Sequence, residues 1–145
     1  MNDRKPRFNH VAMSLSPDLL SPERRAEIVG FYHDVFGWDE LPMLTIDGKR
    51  LVLSAYTYEQ FVFLIADDPP MACPRLDHFG LSVATEGELD DILARAKQWQ
   101  ARDDRVDIID KKSEDHEMLA ITSIYVGYLL PMMVEIQWWD MKESA

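Results

Sequence analysis

Asn9-His10-Val11-Ala12-Met13-Ser14-Leu15 and Asp77-His78-Phe79-Gly80-Leu81-Ser82-Val83 are two copies of one short pattern. Each alternates with period two, as a half-buried strand does. Val11, Met13 and Leu15 form the apolar face of the first copy; Phe79, Leu81 and Val83 form that of the second. The opposite face opens with a histidine and continues with small residues, Ala12 and Ser14 in one copy, Gly80 and Ser82 in the other. Small neighbours leave space around each imidazole ring. Two strands related by duplication therefore predict two imidazoles aimed into a shared cavity, which is one way to build a divided metal site.

The residues around each copy repeat as well. After the first strand, Ser21-Pro22-Glu23 carries a helix start, with Ser as N-cap, Pro at N1 and an acid in the first turn. Ile28, Phe31, Tyr32, Val35 and Phe36 follow at helical spacing, and Gly37 fits the position just past the helix end. Strand-like stretches follow at 40–46, 50–56 and 60–66, with Asp47-Gly48 as a hairpin signal between the first two. The second copy leads into Thr85-Glu86-Gly87-Glu88, a capping box, and a stripe of Leu89, Ile92, Leu93, Ala96 and Trp99. Strands are expected at 106–109, 120–126 and 132–139, and the charged stretch 110–117 reads as a turn or loop.

The expected fold is α+β: two βαβββ modules forming a curved mixed sheet around a cavity, with the helices outside. A single domain over 1–145 is predicted, with module one at 7–68, a Pro-rich linker at 69–74 and module two at 75–140.

Composition narrows the function. The chain has 145 residues, 47% of them hydrophobic, and a formal net charge of −11. That charge argues against nucleic acid and anionic membrane as partners. The longest apolar run, 124–134, is too short to span a bilayer and contains Gly127 and Pro131. No secretory pattern follows Met1, and the single cysteine, Cys73, excludes an intrachain disulfide, so a cytoplasmic protein is expected.

Glu135 is the third unusual residue. It interrupts the apolar stretch 129–139, and a carboxylate within a buried strand is costly unless paired or coordinated. Strand parity places Met133, Glu135 and Gln137 on one face and Val134, Ile136 and Trp138 on the other. Taken with His10 and His78, Glu135 makes a set of two histidines and one carboxylate. Such a set with open positions suits non-haem Fe(II), and the same ligands can hold Zn(II).

On these residues the chain resembles the vicinal oxygen chelate superfamily, which includes glyoxalase I, extradiol dioxygenases, methylmalonyl-CoA epimerase and the fosfomycin and bleomycin resistance proteins. The resemblance covers residues 7–140. It implies metal ligands on the first and last strands of each module, which here are His10, His78 and Glu135. Aligning 62–64 with 134–136 puts Phe63 at the fourth position, where glyoxalase-like members carry Glu or Gln. The three-ligand set is therefore closer to extradiol dioxygenases. Their motif is also similar to His116, Ile124-Tyr125, Pro131 and Glu135, with Tyr128 and Leu129 departing from it.

The resemblance implies an oxidoreductase that chelates a small aromatic diol on a divalent metal, Fe(II) before Zn, Mn, Ni or Co. His116 would act as acid or base, Tyr125 as a hydrogen-bond donor, and Phe61, Phe63 and Met133 as the apolar wall of the pocket. It further implies a homodimer. Two other readings stay open: a glyoxalase- or epimerase-type isomerase or lyase, and a metal-free small-molecule binder like the bleomycin-resistance proteins. The second draws on four Trp, five Tyr and six Phe.

Overall fold

The computed structural model describes residues 5–143. Residues 1–4, part of the N-terminal stretch read above, lie outside them. The chain divides into two compact units, Met1–Met71 and Ala72–Ala145.

The first unit runs β1 (His10–Leu15), a 3-10 turn (Pro17–Leu20), α1 (Pro22–Phe36), β2 (Asp39–Glu40), β3 (Arg50–Ser54) and β4 (Phe61–Ala66). Its sheet has the order β1-β4-β3-β2. The second unit runs β5 (His78–Val83), α2 (Glu86–Gln100), β6 (Asp107–Asp115), β7 (Leu119–Gly127) and β8 (Met133–Met141), in the order β5-β8-β7-β6. Each unit is thus a β-α-β-β-β module with a four-stranded mixed sheet, as expected. In both, the first strand pairs parallel with the last, while the remaining pairs are antiparallel.

The helix signals act as read. The Ser21 side chain accepts the Arg24 N–H, and Gly37 ends α1 at φ 75°, a left-handed conformation suited to glycine. The capping box of Thr85 and Glu88 is complete. α1 buries Ile28, Phe31, Tyr32 and Val35, and α2 buries Leu89, Ile92, Leu93 and Ala96. Burial of these stripes, rather than helical propensity, holds helices of this length.

Two stretches differ from expectation. The predicted strand at 40–46 shrinks to Asp39–Glu40. Pro42 has no N–H to give a ladder, and the chain turns there, with Leu44 N–H donating to Leu41 O at 3.0 Å. Gly48 does make a turn at φ 68°, yet only the single bridge Ile46–Arg50 flanks it. Conversely, the charged stretch 110–117 is mostly strand, because β6 runs on to Asp115. As an edge strand it leaves charged side chains in water, and Lys111 and Asp110 pair with Asp90 and Lys97 of α2. A register shift between Ile109 and Lys112 interrupts its pairing with β7.

Candidate metal centre

Parallel pairing of first and last strands decides which side chains meet. In the second unit His78 lies opposite Met133, and Gly80 lies opposite Glu135. On the far side of β8, Tyr125 lies opposite Glu135. Glu135 is only 6% exposed, the most deeply buried charged residue among those described. Gly80 leaves space across from it: a Cβ there would stand 3.4 Å from Glu135 Oε1, at the near edge of ordinary contact.

Several donors converge on this carboxylate. Gln137 Nε2 donates to Oε1 at 2.9 Å. The Tyr125 hydroxyl is hydrogen-bonded to Glu135, and that bond, with burial and the nearby negative charges, pushes the phenol up to about 12. The Tyr125 ring meets the His78 ring edge to face, with centroids 5.0 Å apart. His78 Nε2 stands 3.5 Å from Glu135 Oε1.

The histidine tautomer follows from its other nitrogen. Nδ1 lies 2.7 Å from the Leu76 carbonyl oxygen. A carbonyl only accepts, so Nδ1 carries the hydrogen and Nε2 of the neutral ring presents a lone pair. That lone pair faces a carboxylate oxygen, which is also an acceptor. Two acceptors so placed are reconciled by a cation between them, either a proton on Nε2 or a metal ion. Two ligand atoms each about 2.1 Å from a tetrahedral ion stand about 3.4 Å apart, close to the observed 3.5 Å. One imidazole nitrogen and one buried carboxylate oxygen therefore fit two positions around a divalent metal.

The first unit repeats the frame with different side chains. His10 lies opposite Phe61, and Ala12 opposite Phe63. Phe63 thus occupies the register position that Glu135 holds in the second unit, as the alignment of the two strands predicted. His10 Nδ1 is 2.6 Å from the Asn9 side-chain oxygen, which leaves its Nε2 free in the same way. Its ring stacks on Phe61, centroids 4.9 Å apart and 3° from parallel. The Arg50 guanidinium lies 5.9 Å over the Phe63 ring.

Among the described residues, no three His, Cys, Asp or Glu side chains gather into a group able to hold a metal. His116 is not brought to Glu135. It lies in the turn joining β6 to β7, its N–H donating to Leu119 O. Leu119 is six residues along β7 from Tyr125, about 20 Å of extended chain. The His116 side chain is half-exposed, 3.9 Å from Glu114. Of the expected pocket wall, Phe61 and Phe63 are half-buried, while Met133 is buried against Gly127.

An open cleft of about 600 Å³ runs beside the carboxylate, lined by Gly80, Ser82, Ala84, Glu135, Gln137 and Trp139. Strand parity puts Gln137 and Trp139 on the Glu135 face, and both line this cleft. Their spacing of two and four residues from Glu135 along one strand is the signal that unites them. In the first unit a cleft of about 730 Å³ is lined by Phe8, Asn9, Tyr56, Tyr58, Glu59 and Phe61. It includes both residues that hold the His10 ring.

The chain matches no family model and no curated protein sequence. Solved structures do match. A lactoylglutathione lyase from Agrobacterium tumefaciens aligns at a TM-score of 0.63 and 16% identity, over 94% of this chain and 96% of that one. The fosfomycin resistance protein FosX from Listeria monocytogenes, solved with Mn(II) and sulfate, aligns at 0.64 and 12%, over 92% and 90%. An integron cassette protein from the Halifax Harbour sewage outfall aligns at 0.62 and 13%, over 92% and 99%.

The chain has the glyoxalase-like α+β fold. It is the fold of the vicinal oxygen chelate superfamily, and at these identities the likeness is one of fold. The glyoxalase-like frame explains why the parallel partner of each first strand matters: it carries Glu135 in one unit and Phe63 in the other.

Proposed function

We propose that this protein is a divalent-metal-dependent enzyme acting on a small molecule that chelates through two adjacent oxygens. The observation that carries the reading is the His78 Nε2 to Glu135 Oε1 pair, two acceptors 3.5 Å apart with Nδ1 committed elsewhere. His10 is taken as a further ligand, on its equivalence to His78 and its similarly free Nε2.

A bound divalent ion would supply Lewis-acid polarisation of substrate oxygens. The chain's own residues do the rest. Glu135 brings negative charge into a buried position, and the Nδ1 bond to the Leu76 carbonyl orients the His78 ring with Nε2 toward Glu135. Tyr125, pushed up to about 12, keeps its proton at neutral pH and serves as a donor rather than a base. The cleft along Gly80, Ser82 and Ala84 admits substrate beside the carboxylate.

Ring cleavage of a catechol-like diol at Fe(II) is the finer reading, favoured by Phe63 at the fourth register position, which limits the protein ligands to three. Isomerase or lyase chemistry is the second reading. It is favoured by the remoteness of His116, which deprives ring cleavage of its expected acid or base, and by the Mn(II) in FosX.

Elemental analysis of protein purified without chelator tests the proposal. About one metal per chain is expected in the wild type, and loss of it in His78→Ala, Glu135→Ala and His10→Ala. Iron, with oxygen uptake on catechols, supports ring cleavage; another metal without uptake supports the second reading. No metal, and no uptake of added divalent ions, overturns the proposal in favour of a metal-free binder.

A further inference from the structure

Three residues of β8, two apart, form a chain of hydrogen bonds on one face of the sheet. Trp139 Nε1 donates to Gln137 Oε1 at 2.9 Å, and Gln137 Nε2 donates to Glu135 Oε1 at 2.9 Å. The direction of this chain is forced. An indole N–H only donates, so it must meet the amide oxygen. The amide nitrogen then faces the carboxylate. A flipped amide would set its nitrogen against the indole N–H and its oxygen against the carboxylate, facing donor with donor and acceptor with acceptor.

We propose that Gln137, held by Trp139, is a positioning residue for Glu135 that strengthens metal binding; the inference rests on the metal reading above. Oε1 is both the atom that receives Gln137 and the atom that faces His78 Nε2. Of its two lone pairs, Gln137 engages one and leaves the other for the gap toward His78. On β5, Gly80 opposite Glu135 has no side chain to restrain the carboxylate, so its side-chain donors are Gln137 and, across from it on β7, Tyr125. Trp139 is half-exposed and could reach water, yet its N–H goes to Gln137. The carboxylate is thus oriented before an ion arrives, and less freedom is lost on binding.

The test is calorimetric titration of chelator-stripped, full-length protein with Mn(II) and with Zn(II). Gln137→Leu is expected to weaken the Kd about 10–100-fold. Gln137→Met, similar in length and without an amide, serves the same purpose should the leucine variant not fold. Trp139→Phe keeps an aromatic ring and loses the N–H, and should weaken the Kd about 3–10-fold. The double variant should bind no more weakly than the Gln137 variant alone, because Trp139 acts through Gln137. A purely structural effect would lower the melting temperature without that non-additivity.

Wild-type affinity in the Gln137 variants overturns the proposal while leaving the metal centre standing. Multiplying effects in the double variant overturn the relay through Gln137. A wild type that takes up neither ion overturns the metal reading and this inference together.

Discussion

The hydroxyl of Tyr125 provides a direct probe of the carboxylate beside it. Replacing Glu135 with Gln keeps the side chain's shape and removes its charge. In the wild type the phenol is raised from 10.0 to about 12, first by its hydrogen bond to Glu135, then by burial, then by the charges of Glu135 and Glu114. The Coulombic effect of Glu135 leaves with the carboxylate and its hydrogen bond weakens to one accepted by a neutral amide oxygen, while burial and Glu114 remain. The Tyr125 phenol of Glu135→Gln should therefore titrate lower than in the wild type. The assay is ultraviolet difference spectroscopy of tyrosinate in chelator-treated protein, with Tyr125→Phe subtracted to isolate this residue from the other four tyrosines. The sign for stability follows. A phenol whose pKa is raised by folding holds its proton more tightly in the native state, so its stabilisation is complete below pH 10 and is lost as pH rises toward 12. Glu135→Gln should flatten that part of the alkaline unfolding curve. An unchanged late-titrating tyrosine in Glu135→Gln, still absent in Tyr125→Phe, would refute the placement of Tyr125 against the carboxylate.

Two further substitutions separate the site from the scaffold. Gly80→Val places a branched side chain where a Cβ alone would be 3.4 Å from Glu135 Oε1. Valine suits a strand, so circular dichroism should be unchanged while Mn(II) affinity falls by about tenfold or more; equal affinity would show that this space is not used. Thr85→Ala removes the capping box of α2, which should cost about 1 kcal/mol and lower the melting temperature by about 3–6 °C, with metal affinity unmoved.

Local chemistry made the helices and the histidine-bearing strands legible in advance. Ser21, Pro22, Gly37, Thr85 and Glu88 act through contacts within one turn of chain, and such contacts are written in consecutive residues. The parity of Glu135 and the equivalence of Phe63 were readable because sheet register repeats every two residues and the module repeats once. Residues 40–46 were misread because apolar side chains there suggested a strand, while Pro42 stops one; Met43 is 77% exposed. Residues 110–117 were misread in the opposite sense, because charge suggests a loop unless the strand is known to be at an edge. The turn before β8 shows the same limit. Leu129 takes φ 59°, and Tyr128 is anchored by donating to Asp103 at 2.6 Å, neither of which departs from its neighbours in any way composition reveals. The partners of the site residues, Leu76 for His78 and Trp139 for Gln137, lay beyond reading because each depends on a side-chain torsion.

The two units have kept one backbone and one histidine but diverged at the residue that faces it across the parallel pair. His78 has Met133 opposite and Glu135 two residues on; His10 has Phe61 opposite and Phe63 two residues on. The strand opposite has adjusted in step. Gly80 makes room for a carboxylate that needs donors around it, whereas Ala12 suffices beside an aromatic ring that needs only contact. Their exposure differs accordingly: Glu135 is buried and wrapped by Gln137, Tyr125 and His78, while Phe63 stays half-buried under the Arg50 guanidinium. The two units thus divide in what they carry: one has a buried carboxylate with its hydrogen bonds, the other an imidazole stacked on an apolar ring. That division makes Glu135 the residue whose loss no equivalent position can replace.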